Sequence, residues 1–449
     1  MDAPTVWLET LGCAKNQVDS DKLTVMLATA GYRSALSAEA ADVVMVNTSA
    51  FIEAARRESV ETILELQDAK RPDARTVVLG CMAQRFGVEV EEALPEVDAV
   101  LGLDRYADLI GTLDGLTGWR PVEVRRRPAM DILHQVRRPT PNTPYAYVKA
   151  AEGCNKPCTF CAIPLIRGKQ RSRLPDNIRR EVEGLAGDGV SEVVLVAQDL
   201  AAFGRDIGTT TGITLNCGDA PRGIVELVRL LSEVPGVRRL RLLYLYPKEI
   251  RPALIEEMAG NPAVAAYFDL SLQHAAGPLL RAMRRPGDGG RHLELIEQIR
   301  GAGPDAALRS SFIVGFPGER EDDVETLAAF LEEARLDWAG FFPYSAEEGT
   351  PAALLPCRVD EEAVAERLRY LQGIQDEITA EAGAAQVGRE LEVLVDQVEE
   401  GVPVGRSYRE APEIDGMITL DAGSPGEWVR VEVTGAYGPD LAAVVTGTM

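Results

Sequence analysis

Between Tyr145 and Tyr370, six apolar, strand-like runs alternate with helical stretches, and this alternation limits the fold more than any other feature of the chain. The runs are YAYVKAAEG (145–153), EVVLVAQ (192–198), LRLLYLY (240–246), YFDLSLQ (267–273), LRSSFIVGF (308–316) and WAGFFPYS (338–345). Helical patterns near 176–187, 221–234, 249–259, 277–284, 291–302 and 321–334 separate them. Strands joined through helices pair in parallel. Six such units predict a barrel or partial barrel whose chemistry sits at the C-terminal ends of its strands.

The flanking regions have different textures. Before about residue 112 the runs TVWLETL, DVVMVN and TVVLG precede helical stretches at 18–30, 52–69 and 82–92, which predicts a separate parallel α/β domain. RRPAMDILHQVRRPTPNTP (126–144), with its prolines, reads as a linker. A helix over 360–385 is expected to bridge the core to a tail of short alternating strands and Gly, Pro and Asp turns, a small antiparallel β-barrel of OB-like kind. The expected domains are 1–120 (α/β), 121–140 (linker), 141–380 (barrel core) and 383–449 (β-barrel).

Composition narrows the functional classes. The formal net charge of −23 repels nucleic acid unless a basic patch is segregated. No apolar run approaches the roughly 18 residues of a membrane span, which predicts no membrane association. MDAPTVWLET lacks a basic n-region and a cleavable apolar segment, so a cytoplasmic address is expected. Seven cysteines scattered over a long chain of this kind favour metal or catalytic use over a disulfide framework. The three histidines, His134, His274 and His292, are not spaced as a metal pair, so histidine-centred chemistry is not expected.

The stretch AEGCNKPCTFCAIPLIRG carries the chemistry. Cys154, Cys158 and Cys161 form CxxxCxxC just past the first strand of the core. Three thiolates at this spacing can wrap a 4Fe–4S cluster and leave one iron open. Zinc is the competing reading, but a structural zinc takes four ligands and no second CxxC pair is near. The basic residues that follow, Arg167, Lys169, Arg171 and Arg173, fit either an anion-assisting role or a solvated loop. YPKEI (246–250) and RAMRRPG (281–287) read as surface loops at the barrel mouth. Cys217 and Cys357 are expected to be incidental small hydrophobes.

With Phe160 before the last cysteine of the triplet, the chain resembles the radical S-adenosylmethionine superfamily, whose members bind a 4Fe–4S cluster on a partial (β/α)6 barrel. The resemblance implies that the methionyl amine and carboxylate of S-adenosylmethionine chelate the open iron. An electron then cleaves the sulfonium to a 5′-deoxyadenosyl radical. It also implies cofactor contacts at the later strand ends: Phe160, Gln198, Asp199, Gln273, Gly315 and Glu319, with Gly318 in the same FIVGFPGE turn.

The likeness extends over nearly the whole chain to the methylthiotransferases, which have an N-terminal α/β domain, a radical core and a C-terminal TRAM barrel. In that family three N-terminal cysteines ligate an auxiliary 4Fe–4S cluster. Cys13 in LGCAKNQVDS and Cys81 in LGCMAQR match two of those positions, and Ser49 in VNTSAF falls on the third. RLLYLYP, LQHA, AMRRPG and GRSYREAPEIDG resemble the RimO branch, which modifies an aspartate β-carbon of a small-subunit ribosomal protein. Two S-adenosylmethionine molecules per turnover, a reductant such as flavodoxin or ferredoxin, and a sulfur donor are implied. From Val387 to Met449 there are 12 acidic residues against 4 arginines and no lysine. That tail suits a basic protein substrate and argues against RNA binding by the TRAM barrel. The competing readings are a tRNA adenosine methylthiotransferase and an iron–sulfur protein with a degraded auxiliary site.

Overall fold

The computed structural model describes residues 3–119, 133–207 and 223–449, so Cys217 and most of the linker lie outside the described residues. In the N-terminal unit, β1 (Thr5–Thr10), β2 (Arg33–Ser34), β3 (Val43–Thr48), β4 (Arg75–Leu79) and β5 (Ala99–Leu101) form one parallel sheet in the order β2-β1-β3-β4-β5. Helices α1 (Ala14–Thr29), α2 (Glu53–Ala69), α3 (Gly80–Ala93) and α4 (Leu109–Thr117) pack around it. All six residues of β3 are buried, which is why it reads as an unbroken VVMV run: a central parallel strand has both faces covered. The edge strands β2 and β5, with two and three residues, are too short to leave a pattern in the sequence. Register places Thr10 beside Asn47 and Asn47 beside Leu79, so β1, β3 and β4 end level with one another.

The core contains the six expected strands. β6 (Tyr145–Lys149), β9 (Glu192–Val196) and β10 (Arg239–Leu242) pair in parallel in one sheet, with a small antiparallel pair, β7 (Ala151–Glu152) and β8 (Arg171–Ser172), beside it. β11 (Tyr267–Gln273), β12 (Ala307–Val314) and β13 (Trp338–Pro343) form the other sheet. Isolated bridges, Leu240 to Val264 and Leu245 to Leu270, join the two halves into a partial barrel. Around it run α5 (Ile163–Ile166), α6 (Pro175–Gly187), α7 (Ile224–Ser232), α8 (Pro252–Gly260), α9 (Gly277–Ala282), α10 (Gly289–Ala302) and α11 (Glu321–Ala334). α6 shows the logic of these helices. Pro175 starts it, and Ile178, Val182 and Leu185 recur at helical spacing on its buried face.

Helix α12 (Glu361–Ala384) packs on α11, β13 and the C-terminal barrel, so it is the bridge expected of it. That barrel closes as β14 (Glu390–Glu399), β15 (Val402–Arg406), β16 (Ile418–Leu420), β18 (Asp440–Thr448) and β17 (Trp428–Tyr437), antiparallel except for the β16–β18 pair. It seats against the N-terminal ends of the core strands. Buried Glu192 at the start of β9 takes Arg241 Nε at 2.8 Å, Arg406 Nη1 at 3.1 Å and Arg239 Nη1 at 3.4 Å. Tyr267 Oη donates to Asp415 at 2.6 Å, and Tyr145 Oη to Glu413 at 2.9 Å. The acidic barrel therefore lies at the end of the core opposite the cysteine triplet, and its charge reaches the site only over distance.

Candidate functional site

Cys154, Cys158 and Cys161 stand on the loop between β7 and α5, at the C-terminal end of the partial barrel. Gly153 makes the turn into the loop at φ +77°, where a Cβ would collide with the Gly168 carbonyl at 2.6 Å. The Cys154 N–H donates to Gly168 O at 3.1 Å, which closes the loop base. At its far side the Thr159 N–H donates to Met283 O at 3.1 Å and Thr159 Oγ1 to Ala282 O at 2.9 Å. The loop is thus pinned on RAMRRPG before any cofactor arrives.

The sulfurs already have donors. The Lys156 N–H points at Cys154 Sγ (3.4 Å), and Arg285 Nη1 stands 3.6 Å from Cys158 Sγ while its guanidinium lies 4.0 Å above the Tyr246 ring. Burial pushes the Cys161 thiol up to about 12, with Cys158 and Cys154 adding to the rise. Thiols that are close, crowded and costly to ionise alone are those a cationic iron cluster compensates. Among the described residues, no three His, Cys, Asp or Glu side chains close on a single ion.

Gln198 and Asp199 follow β9 directly. Lys156 Nζ approaches Asp199 Oδ2 at 3.1 Å, yet both Asp199 oxygens and Gln198 Oε1 are buried without a hydrogen bond. Burial raises the Asp199 carboxyl above the ordinary range, against the pull of Lys156. A buried carboxylate with Lys156 as its one ion-pair partner has room for a further donor, which fits an ammonium of the cofactor. The remaining strand-end residues divide. Gln273 closes β11 at φ +74°. The Glu319 carboxylate is spent on the chain itself, 3.0 Å from the Gly315 N–H and 2.9 Å from Arg367 Nη1, so it shapes the turn after β12. Phe160 packs with Ala276, Leu279, Met283 and Phe316 as an apolar anchor of the loop.

The second set converges at the end of the N-terminal sheet. Cys13 caps α1, Cys81 opens α3, and Ser49 follows β3, all on adjacent level strands. Gly12 has φ +94°, and a Cβ there would stand 2.8 Å from Ser49 Cβ, so the Cys13 loop rides directly on Ser49. Asn16 ties the strand ends by donating to Leu11 O (2.8 Å) and Thr48 O (3.0 Å). Cys13 is exposed. Burial pushes its thiol up, but Lys15, Arg167 and the Asn16 and Lys15 N–H groups together bring it below the ordinary value. Cys81 is raised, by burial first and by Cys13, with Arg167 opposing.

Two expectations from the sequence are corrected here. Arg167 and Arg173 are not a solvated loop: both are buried, Arg167 on Glu152, Asp19, Asn16 and Cys81, and Arg173 on Glu181 and Asn177. YPKEI and RAMRRPG are only partly at the surface: Lys248, Arg281, Ala282, Arg284 and Pro286 are exposed, but other side chains turn inward. Tyr246, Glu249 and Arg285 are buried, and Glu249 pairs with Lys156. Some of the acidic partners lie far away in sequence, as Glu249 does from Lys156, while Glu181 is only eight residues from Arg173. Cys357 is exposed and outside both sites.

The two sets meet in one buried charge network. Lys149 Nζ holds Asp19 at 2.5 Å and Glu152 at 2.6 Å, while Arg167 Nη1 holds Glu152 at 2.6 Å. Asp19 belongs to α1, the helix that Cys13 caps, whereas Arg167 follows the triplet loop. Nearby, Lys22 of α1 pairs with Glu181 of α6 at 2.7 Å. Arg85 of α3 and Arg56 of α2 pair with buried Glu347 after β13, Arg85 at 2.6 Å.

Residues 148–331 match the Radical SAM superfamily, 387–446 the TRAM domain, and 5–102 the Uncharacterized protein family UPF0004. The chain is 41% identical to the ribosomal protein uS12 methylthiotransferase RimO of Streptomyces coelicolor, covering 98% of this chain and 97% of that one. It is 40% identical to the same enzyme of Salinispora arenicola, covering 99% and 96%. The chain belongs to the RimO family of methylthiotransferases. Among solved structures, the radical S-adenosylmethionine methyltransferase TsrM from Kitasatospora setae shares the fold. Its TM-score is 0.55 at 14% identity, over 84% of this chain and 89% of that chain. Among the described residues no helix is long and apolar enough to cross a membrane.

Proposed function

We propose that this chain replaces a hydrogen on the β-carbon of an aspartate in ribosomal protein uS12 with a methylthio group. Full-length similarity to uS12 methylthiotransferases supports the reading. The observation that carries it is a buried network in which Arg167, from the loop after the cysteine triplet, holds Glu152 just before that triplet and Cys81 of the other set. Cys154, Cys158 and Cys161 hold one 4Fe–4S cluster, and Cys13 and Cys81, with Ser49 at the third position, hold the other. When bound, the clusters supply the electron that cleaves S-adenosylmethionine and the place where sulfur is methylated and handed on.

The protein's own groups bind and shield. Asp199, already beside Lys156, accepts the methionyl ammonium, and Gln198 offers Oε1 beside it. Lys156 and Arg205 together balance Asp199 and Glu249, so the pocket charge stays near neutral before the cofactor enters. Arg285 keeps a positive charge on Cys158. Gln273 and Gly315 shape the strand ends from backbone positions, with Glu319 holding the Gly315 turn and Phe160 anchoring the cysteine loop. No side chain needs to abstract a proton, in keeping with only three histidines in the chain.

The working units are 1–120, 141–380 and 383–449 with a linker at 121–140, in a cytoplasmic enzyme served by a flavodoxin- or ferredoxin-like reductant and a separate sulfur donor. The test is anaerobic incubation of the reconstituted protein with S-adenosylmethionine, reductant, sulfide and a uS12 peptide, read by mass spectrometry. A methylthio group in place of one aspartate hydrogen is expected. Modification of tRNA adenosine with the peptide untouched would assign the chain to the other branch. A bound cluster that yields no 5′-deoxyadenosine would leave only an iron–sulfur protein.

A further inference from the structure

We infer that Arg167 is a positioning residue for the auxiliary site: it holds the Cys81 sulfur from the radical-site loop and sets the reduction potential of the cluster bound there. The inference rests on the reading that Cys13, Ser49 and Cys81 hold a cluster. Arg167 follows α5, six residues after Cys161, yet its guanidinium ends in the N-terminal domain. Nη1 donates to Glu152 Oε1 at 2.6 Å and stands 3.5 Å from Asp19 Oδ2. Nη2 donates to Asn16 Oδ1 at 2.6 Å and to Cys81 Sγ at 3.3 Å. The side chain is buried, so no water competes for these donors.

This division of labour needs a guanidinium. One nitrogen is fixed by a carboxylate, which orients the planar fork and aims the other at sulfur; an ammonium offers a single nitrogen with no fixed plane to aim a second one. The Asp19 and Glu152 carboxylates balance Lys149 and Arg167, so the network is neutral before any thiolate forms. A thiolate at Cys81 is therefore met by a cation already in place, with no reorganisation. Lys15, the other cation beside Cys13, has its Nζ 3.8 Å from the centre of the Tyr244 ring. A hydrogen bond to a ligating sulfur favours the more negative, reduced cluster and raises its potential, and burial strengthens the effect. Where the family has a third thiolate and this chain has Ser49, retaining the donor on Cys81 gives Arg167 a larger share of the electrostatics of the site.

The experiment uses the full-length chain with Cys154, Cys158 and Cys161 each changed to Ala, so that iron can occupy the auxiliary site alone. This parent is compared with versions that add Arg167→Lys or Arg167→Met. Iron content, the EPR signal and the midpoint potential are measured anaerobically. The expected result is a lower midpoint in Arg167→Met, with the reduction equilibrium falling about tenfold, equivalent to about 59 mV for one electron. Arg167→Lys should fall in the same direction by less. If the Met variant fails to fold, the Lys variant decides by the same reading. A cluster with unchanged midpoint in the Lys variant, even at reduced iron content, reduces Arg167 to a structural role and overturns the inference. No iron in the parent overturns the auxiliary-cluster reading itself, and the inference with it.

Discussion

The two cysteine sites are built in opposite ways. The radical set is local: Cys154, Cys158 and Cys161 share one loop whose base is closed by Gly153 and Gly168 and whose far side is stitched to Met283. The auxiliary set is assembled from three strand ends spread over residues 13 to 81, and its charge balance is completed by Arg167 from another domain. A local site survives as long as its loop does. An assembled site depends on sheet register, on the seam between domains, and on each position keeping its residue type. At the assembled site the three strand ends present Cys13, Ser49 and Cys81, whereas the local triplet is three cysteines.

The largest effect should come from the local site. Cys158→Ala is expected to abolish 5′-deoxyadenosine formation, since two thiols cannot hold the cluster that cleaves the cofactor. Unchanged yield would remove the triplet from the chemistry. Cys81→Ala should separate the sites: 5′-deoxyadenosine still forms, while methylthiolation of the uS12 peptide is lost. Loss of both products together would show that the sites cannot be treated apart.

The seam offers the next test. Glu181 on α6, with Lys22 of α1, Arg173 and Arg138 around it, is held down at about 2 against burial and an ordinary value of 4.5. A depressed carboxylate contributes stability that is complete above its unfolded value and lost as pH falls from about 4.5 toward about 2. Acid in that window should therefore loosen the N-terminal domain and release auxiliary iron before radical-site iron. Glu181→Gln should cost about 3–5 kcal/mol, because it strands buried cations. Thermal denaturation with metal analysis of each step checks this, and simultaneous loss of both clusters would contradict the distinction. The smallest effect is expected from Ser49→Cys. It restores a soft ligand, so the auxiliary cluster should withstand chelator for longer with little change in 5′-deoxyadenosine yield.

The contrast also explains what could be read from the chain. β11 and α11 match the expected ranges residue for residue, because apolar runs between Gly, Pro and Asn punctuation are local signals. The radical triplet was legible for the same reason. The auxiliary positions were legible only as three similar strand endings. Their convergence follows from the register that sets Thr10, Asn47 and Leu79 side by side. Arg167 and Arg285 were not legible as buried groups. Nothing near IRGKQ or AMRRPG in sequence shows that Glu152, Asp19, Ser271 and Tyr246 will enclose them. β2 and β5 were missed because two or three residues carry no period.

Whether Cys13, Ser49 and Cys81 hold a cluster is decided by iron analysis of the anaerobically reconstituted full-length chain. Two 4Fe–4S clusters predict about eight irons per chain, with matching sulfide. About four irons, all lost in the Cys158→Ala variant, would mean that Ser49 has cost this chain its auxiliary cluster.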